Sequence, residues 1–229
     1  MGTDFQQLTS VTLRGRIAEI LRDAILNGTL REGERIVERK VAAQFSTSLT
    51  AVREALIELE SEGFVVKKPN SATYVTKISL ESAERIFRVR RLLEVHALEE
   101  AARLATPASL QKLERVYLDL VDAARSEHSQ LFIRTDYLLH ETIWLMSGNE
   151  YLHAALRRVV LPVFAATAIR IVSRRPFDLI QDAQLHLPMI EVIRNRNVEA
   201  AKPVVERAMD EWLAQFRLYL NNGDEDHQD

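Results

Sequence analysis

Three residues in the C-terminal half have the types and the spacing to share a cation. Asp136 and His140 stand four apart in DYLLHETIWLM, so on a helix both project from one face about one turn apart. His186 belongs to a later helix that could cross the first. One carboxylate and two imidazoles converging inside a helical bundle suit a single borderline divalent ion such as Zn²⁺ or Ni²⁺. The same residues also read as a local Asp136–His140 ion pair beside an unrelated core histidine, and spacing leaves both readings open. Arg90 is the other chemical candidate. A buried guanidinium there would grip a carboxylate in two-point fashion, and a pair with Glu94, one turn on, is the plainer alternative. Arg88, Arg91 and Arg170 are weaker candidates of the same kind. His96 could approach a cavity from the helix that carries Arg90. His128 and His153, with charged or terminal neighbours, are expected at the surface.

Helices must hold these groups in place. Ser79 is a plausible cap, and Leu80 to Leu104 forms one long segment. Thr106-Pro107, a cap followed by proline at the first helical position, opens the next. That segment runs on to Ser126, with Leu110, Leu113, Tyr117, Leu120 and Val121 on a stripe. Leu131 to Met146 follows and stops at Gly148. Asn149 caps a fourth helix to about Val172, with a kink expected at Pro162. Pro176 opens a fifth, and Asn197 caps the last, which ends near Leu220. Pro188 and Pro203 are expected to bend the helices that contain them. Residues 1–10 read as a disordered lead and 221–229 as a polar, acidic tail.

The N-terminal third is patterned differently. Leu13, Ile17, Ile20, Leu21, Ala24 and Ile25 trace one helical stripe that Asn27-Gly28 stops. A glycine loop at 30–34 leads to a short helix from Val37 to Phe45 with Val41, Ala42 and Phe45 inward. After a turn at 46–48, Ser48 can cap a third helix, whose inner face is Val52, Ala55, Leu56 and Leu59. Gly63 ends it, and Phe64-Val65-Val66 runs as a strand into the basic turn Lys67-Lys68-Pro69. Helix, helix, turn, helix and a β wing is the pattern of a winged helix-turn-helix, in which the third helix enters the DNA major groove. The fold class expected is therefore mainly α. Residues 1–78 form a winged helix-turn-helix with a small β wing, and residues 79–229 form an all-helical bundle.

Composition limits the partners. At 229 residues the chain can hold two modest domains. No apolar run in the sequence stands out as reaching the ~20 residues that span a bilayer, and MGTDFQQLTS has neither a positive nor an apolar leader region, so a cytoplasmic protein with no membrane partner is expected. The absence of cysteine excludes disulfides, thiolate metal sites and a cysteine nucleophile. The net charge of −3 argues against a protein that coats nucleic acid. Residues 1–78 carry 11 Lys+Arg against 10 Asp+Glu, so their cations must cluster on one face to bind DNA, and dimerisation would help.

LRDAILNGTLREGERIVERKVAAQF followed by TAVREALIELESEGFVV resembles the DNA-binding domain of the GntR superfamily of bacterial transcription regulators. RVRRLLEVHALEEAARLA, DYLLHETIWLMSGNEYL and QLHLPMIEVIRNRNVEAAKPVVERAM are similar to the helical ligand-binding (FCD) domain of its FadR-type branch. The resemblance implies DNA contacts from Arg39, Ser48, Leu49, Thr50 and Arg53, and from Lys67, Lys68, Asn70 and Thr73 in the wing region. It implies a homodimer on a palindromic operator, with a small organic acid as effector and Arg90 directed at its cavity. It also implies one divalent metal on Asp136, His140, His186 and a fourth ligand, a position that Ala208 occupies here. Two further departures from the family pattern matter. Ser46 replaces a glycine in the turn, and Leu49 replaces an arginine that reads guanine, which implies an altered operator. A wing turn of Asn70-Ser71-Ala72 replaces the family's glycine-containing one, with Asn70 able to take left-handed geometry. The rival reading is a metal-dependent hydrolase or lyase using Asp136, His140 and His186. It lacks a glutamate in an H-E-x-x-H-like base position and leaves the winged helix unexplained.

Overall fold

The fold is that of a computed structural model, which describes residues 13–68, 72–173 and 178–221, the side chains of 170–173 and 218–221 aside. The expected disordered lead, the acidic tail, Asn70 and Pro176 lie outside the described residues. The chain divides into two compact units, residues 1–76 and 77–229.

In the first unit, α1 (Leu13–Leu26), α2 (Glu38–Gln44) and α3 (Leu49–Ser61) pack over a three-stranded sheet. The stripe of α1 buries Ile17, Ala18, Leu21, Ile25 and Leu26, whereas Leu13 and Ile20, expected on that stripe, are exposed. The apolar face of α3 is buried at all four expected positions, Val52, Ala55, Leu56 and Leu59. Phe45 is half-buried at the C-cap of α2. Gly63 takes a φ of 82° and turns the chain into β2 (Val65–Lys67), which pairs with β3 (Thr73–Val75). The sheet also has a strand that the sequence did not show, β1 (Arg35–Ile36). It pairs antiparallel with β3, giving the order β1-β3-β2. Two residues are too short for any periodic signal.

Ser46 has a φ of 48°, the left-handed conformation that glycine adopts without cost and that costs an L side chain roughly 1–2 kcal/mol. The turn at Ser46 therefore has a backbone geometry that suits glycine.

The second unit is all helical: α4 (Leu80–Leu104), α5 (Pro107–Arg125), α6 (Ser129–Met146), α7 (Glu150–Ser173), α8 (Leu179–Gln184), α9 (Leu187–Arg194) and α10 (Ala201–Asn221), with a 3₁₀ turn at Val198–Ala200. Its caps follow from side-chain chemistry. The Ser79 side chain accepts from the Ser82 N–H, and Thr106 and Ser109 form a reciprocal capping box ahead of Pro107. The Asn149 side chain accepts from the Leu152 N–H.

Four expectations are corrected in this unit. The fifth helix is two helices, because Pro188 has no N–H to donate and sits at the start of α9 instead of bending one long helix. Pro203 falls in the first turn of α10, where proline is tolerated. Asn197 precedes the 3₁₀ turn and makes no side-chain cap. Residues 150–169 of α7 are, by length and composition, apolar enough to cross a membrane, contrary to the sequence reading, and 44% of that stretch is buried inside the unit. The helix packs against α4 and α6, with Leu156 and Val160 beside Ala97 and Trp144.

Candidate functional site

On the first unit, Ser48 caps α3 by accepting from the Ala51 N–H at 3.1 Å. Capping satisfies one of the orphan donors of the first helical turn. Ser48, Leu49, Thr50 and Arg53 are all exposed on α3, as Arg39 is on α2. Arg53 is anchored as well: its Nε donates to Glu38 Oε2 at 2.7 Å, tying α3 to the start of α2. Lys67 and Lys68 are exposed at the wing, and Lys68 Nζ stands 4.8 Å from the centre of the Tyr74 ring. Thr73 is corrected. It is buried in β3 opposite Lys67 and Ile36, so its side chain faces the unit's interior and is not offered to DNA.

In the second unit, Asp136 and His140 share a face as their spacing predicts, and His186 joins them, the ligand atoms of all three within 4.8 Å of one another. The two Nε2 atoms are 3.2 Å apart. Asp136 Oδ1 is 2.9 Å from His186 Nε2 and 3.8 Å from His140 Nε2. Arg90 closes the group, with Nη2 3.3 Å from His140 Nε2. The structure has the pair of Arg90 with Glu94, through Nε at 2.9 Å, in a buried and not a surface setting. Trp144 Nε1 donates to the other Glu94 oxygen at 3.0 Å, and His140 Nδ1 lies 3.5 Å from Glu94.

Glu94, Trp144 and Asp182 are the functional residues that the sequence reading missed or undervalued. Asp182 is buried and lines the same cavity. The signal was present: Asp182 precedes His186 by four, the spacing of Asp136 and His140. His96 and Arg88 are exposed instead of approaching the cavity, and Arg91 pairs with Asp210. The Arg170 side chain lies outside the described residues. His128 is exposed and caps α6, whereas His153 is not a free surface residue: it is half-buried, 3.4 Å from Glu141. Ala208 does not line this cavity. It faces a separate cleft with Gln181, Gln184 and Pro188, and Trp212, one turn on, supplies the cavity wall from α10.

Burial would push all these acids up, and the cations decide which of them yields. For Glu94, His140 and Arg90 outweigh burial and hold the carboxyl well below the usual carboxylate range. For Asp136, His186 and its contact outweigh burial and also lower it. For Asp182, His186 and Arg90 pull the same way but do not outweigh burial. Burial and the neighbouring charge of Asp136 push it up to about 7. For His186, Asp136 and Asp182 overcome burial and push the imidazole up to about 9.

The donor set fits a metal. Ligands about 2.0–2.1 Å from a tetrahedral ion stand roughly 3.3–3.4 Å apart, and the observed separations of 2.9, 3.2 and 3.8 Å bracket that. Asp136 Oδ1 and His140 Nδ1 are buried without a hydrogen-bond partner among the described residues. The 2.9 Å approach of His186 to Asp136 is thus an ion pair off the line of an N–H bond. The orphan oxygen is the one that stands nearest both imidazole Nε2 atoms. His186 Nδ1 lies 3.0 Å from the Asp182 carbonyl oxygen. Donation along that line leaves Nε2 for the cavity, so loading a metal must displace a proton there.

A family model described as "Bacterial regulatory proteins, gntR family" matches residues 13–75, and one described as "FCD domain" matches residues 85–221. The chain belongs to the GntR family, with an FCD domain. As a member of the FadR-type branch it is a DNA-binding transcription regulator, and the metalloenzyme reading is set aside because its relatives are regulators, not enzymes. The gluconate operon transcriptional repressor of Bacillus subtilis is 24% identical over 215 residues, covering 89% of this chain and 88% of its own. The HTH-type transcriptional repressor RspR of Escherichia coli is 24% identical over 205 residues, covering 88% and 86%. The solved structure of E. coli McbR/YncC superposes with a TM-score of 0.72 at 21% identity, covering 92% of this GntR-family chain and all of its own.

Proposed function

We propose that this regulator binds a palindromic operator as a homodimer and that the buried cavity of its helical domain is the input. The supporting observation is a buried polar group, Asp136, His140, His186 and Arg90, with two buried atoms left unsatisfied. A domain required only to fold would gain nothing from that arrangement, since buried unpaired polar atoms cost about 1–3 kcal/mol each. In this reading Asp136, His140 and His186 hold one divalent ion, Zn²⁺ or Ni²⁺, which supplies the missing charge compensation. Arg90 and the metal together attract an acid's carboxylate. The cavity measures about 40 Å³, room for an ion and one or two waters. An organic acid enters only as Trp212 or Phe164 moves out of the wall, so ligand binding is a change of packing that the DNA-binding units can feel.

On the DNA side, Arg39, Ser48, Leu49, Thr50 and Arg53 face the groove, and Lys67 and Lys68 lie along the backbone. Lysines fix position and carry no sequence information. The test is a gel-shift titration with the upstream DNA of the protein's own gene, with chelator, with Zn²⁺ or Ni²⁺, and with metal plus candidate acids. A mobility or affinity change with metal or acid is expected. An affinity indifferent to all of them makes the protein a regulator without an effector.

A further inference from the structure

We infer that Asp182 is the fourth metal ligand of this chain, taking over the role that the family pattern assigns to the position of Ala208. The inference rests on the metal reading above. Ala208 lines a separate cleft, and the α10 wall of the cavity is the indole of Trp212, which offers no ligand atom. Asp182, 4% exposed, lines the cavity with Asp136, His140 and His186; it stands outside the set whose ligand atoms lie within 4.8 Å of one another, so its carboxylate must swing inward to reach the ion. It sits in α8 one turn before His186, so the chain carries Asp-x-x-x-His twice, once in α6 and once across α8, and both copies open into one space.

Two buried carboxylates beside one cavity repel each other, and for Asp182 the nearby His186 and Arg90 offset burial and that repulsion only in part. A divalent ion between them removes that repulsion and satisfies the orphan Asp136 oxygen. A set of two carboxylates and two imidazoles is also harder than one carboxylate with three imidazoles. It therefore shifts preference toward oxygen-seeking ions such as Mn²⁺, relative to Zn²⁺ and Ni²⁺.

The experiment uses the full chain and four proteins: wild type, Asp182→Asn, Asp182→His and Ala208→His. Each is titrated calorimetrically with Mn²⁺, Zn²⁺ and Ni²⁺ and melted with metal and with chelator. Asp182→Asn is expected to weaken Mn²⁺ binding by about tenfold or more, at least the loss seen when a residue that only supports a ligand is removed. In chelator it is expected to melt no lower than wild type, because an apo cavity with one carboxylate fewer has less repulsion. Asp182→His should move preference from Mn²⁺ toward Zn²⁺ and Ni²⁺. Ala208→His should leave affinity at the wild-type value. Wild-type affinity in Asp182→Asn overturns the inference and leaves a three-ligand site. A lower melt for Asp182→Asn with chelator as well as with metal overturns it too, by making Asp182 structural. Tighter binding in Ala208→His returns the fourth position to α10. If wild type binds none of the three ions, the metal reading itself fails, and the inference fails with it.

Discussion

The chain contains the same ion pair in two settings. Arg53 meets Glu38 at 2.7 Å on the recognition unit, and Arg90 meets Glu94 at 2.9 Å in the helical unit. The first arginine is mostly exposed, and the second pair is almost wholly buried. Water screens the first pair, so its bond is worth little and is easily traded for a phosphate or a base. The second cannot be traded. Glu94 accepts from Arg90 and Trp144 and lies beside His140, so it sets where two cavity groups stand. The comparison teaches that one ion-pair chemistry is exchangeable where water reaches it and fixed where it does not.

The largest expected effect comes from breaking the dry pair. Glu94→Ala should cost about 3–5 kcal/mol in chemical denaturation, because it strands a buried guanidinium. A loss below about 1 kcal/mol would show that water reaches Arg90 and that the two pairs are alike.

Arg53→Ala should weaken operator binding by about 1–3 kcal/mol, with relaxed preference at one base position, if Arg53 reads a base. Uniform weakening across sequences makes it a phosphate contact, and unchanged binding removes α3 as the recognition helix.

Leu49→Arg sharpens the wet side by adding a second exposed arginine at the start of α3. Selection from random oligonucleotides should then return a guanine-containing half-site, discriminated by about 1–3 kcal/mol. The same motif for both proteins would refute the placement of Leu49 at the DNA.

The smallest effect is expected from Glu38→Ala, at most about 1 kcal/mol of stability. The measurement is a urea denaturation run in parallel with Glu94→Ala. Equal costs would remove the distinction between the two settings.

How much of this was legible in the sequence depended on period. The stripe of α3 and the Asp136–His140 pair were legible because four-residue spacing fixes a helical face. The burial of Thr73 was not, since a three-residue strand has no alternation long enough to say which face is inward, and its partner β1 left no signal at all. Asp182 shows a different failure. Its spacing to His186 was as plain as that of Asp136 to His140, but the family pattern pointed to position 208. Glu94 was read only as a surface partner for Arg90. A helical period says which residues share a face, and packing of α4 against α6 and α7 decided that this face is dry.

The cavity is small, and His186 stands at the joint where α8 ends and α9 begins. An ion bound as proposed by Asp136, His140 and His186 would have to pass that joint or the aromatic wall to leave, so its exchange would be slowed by the protein's own motion.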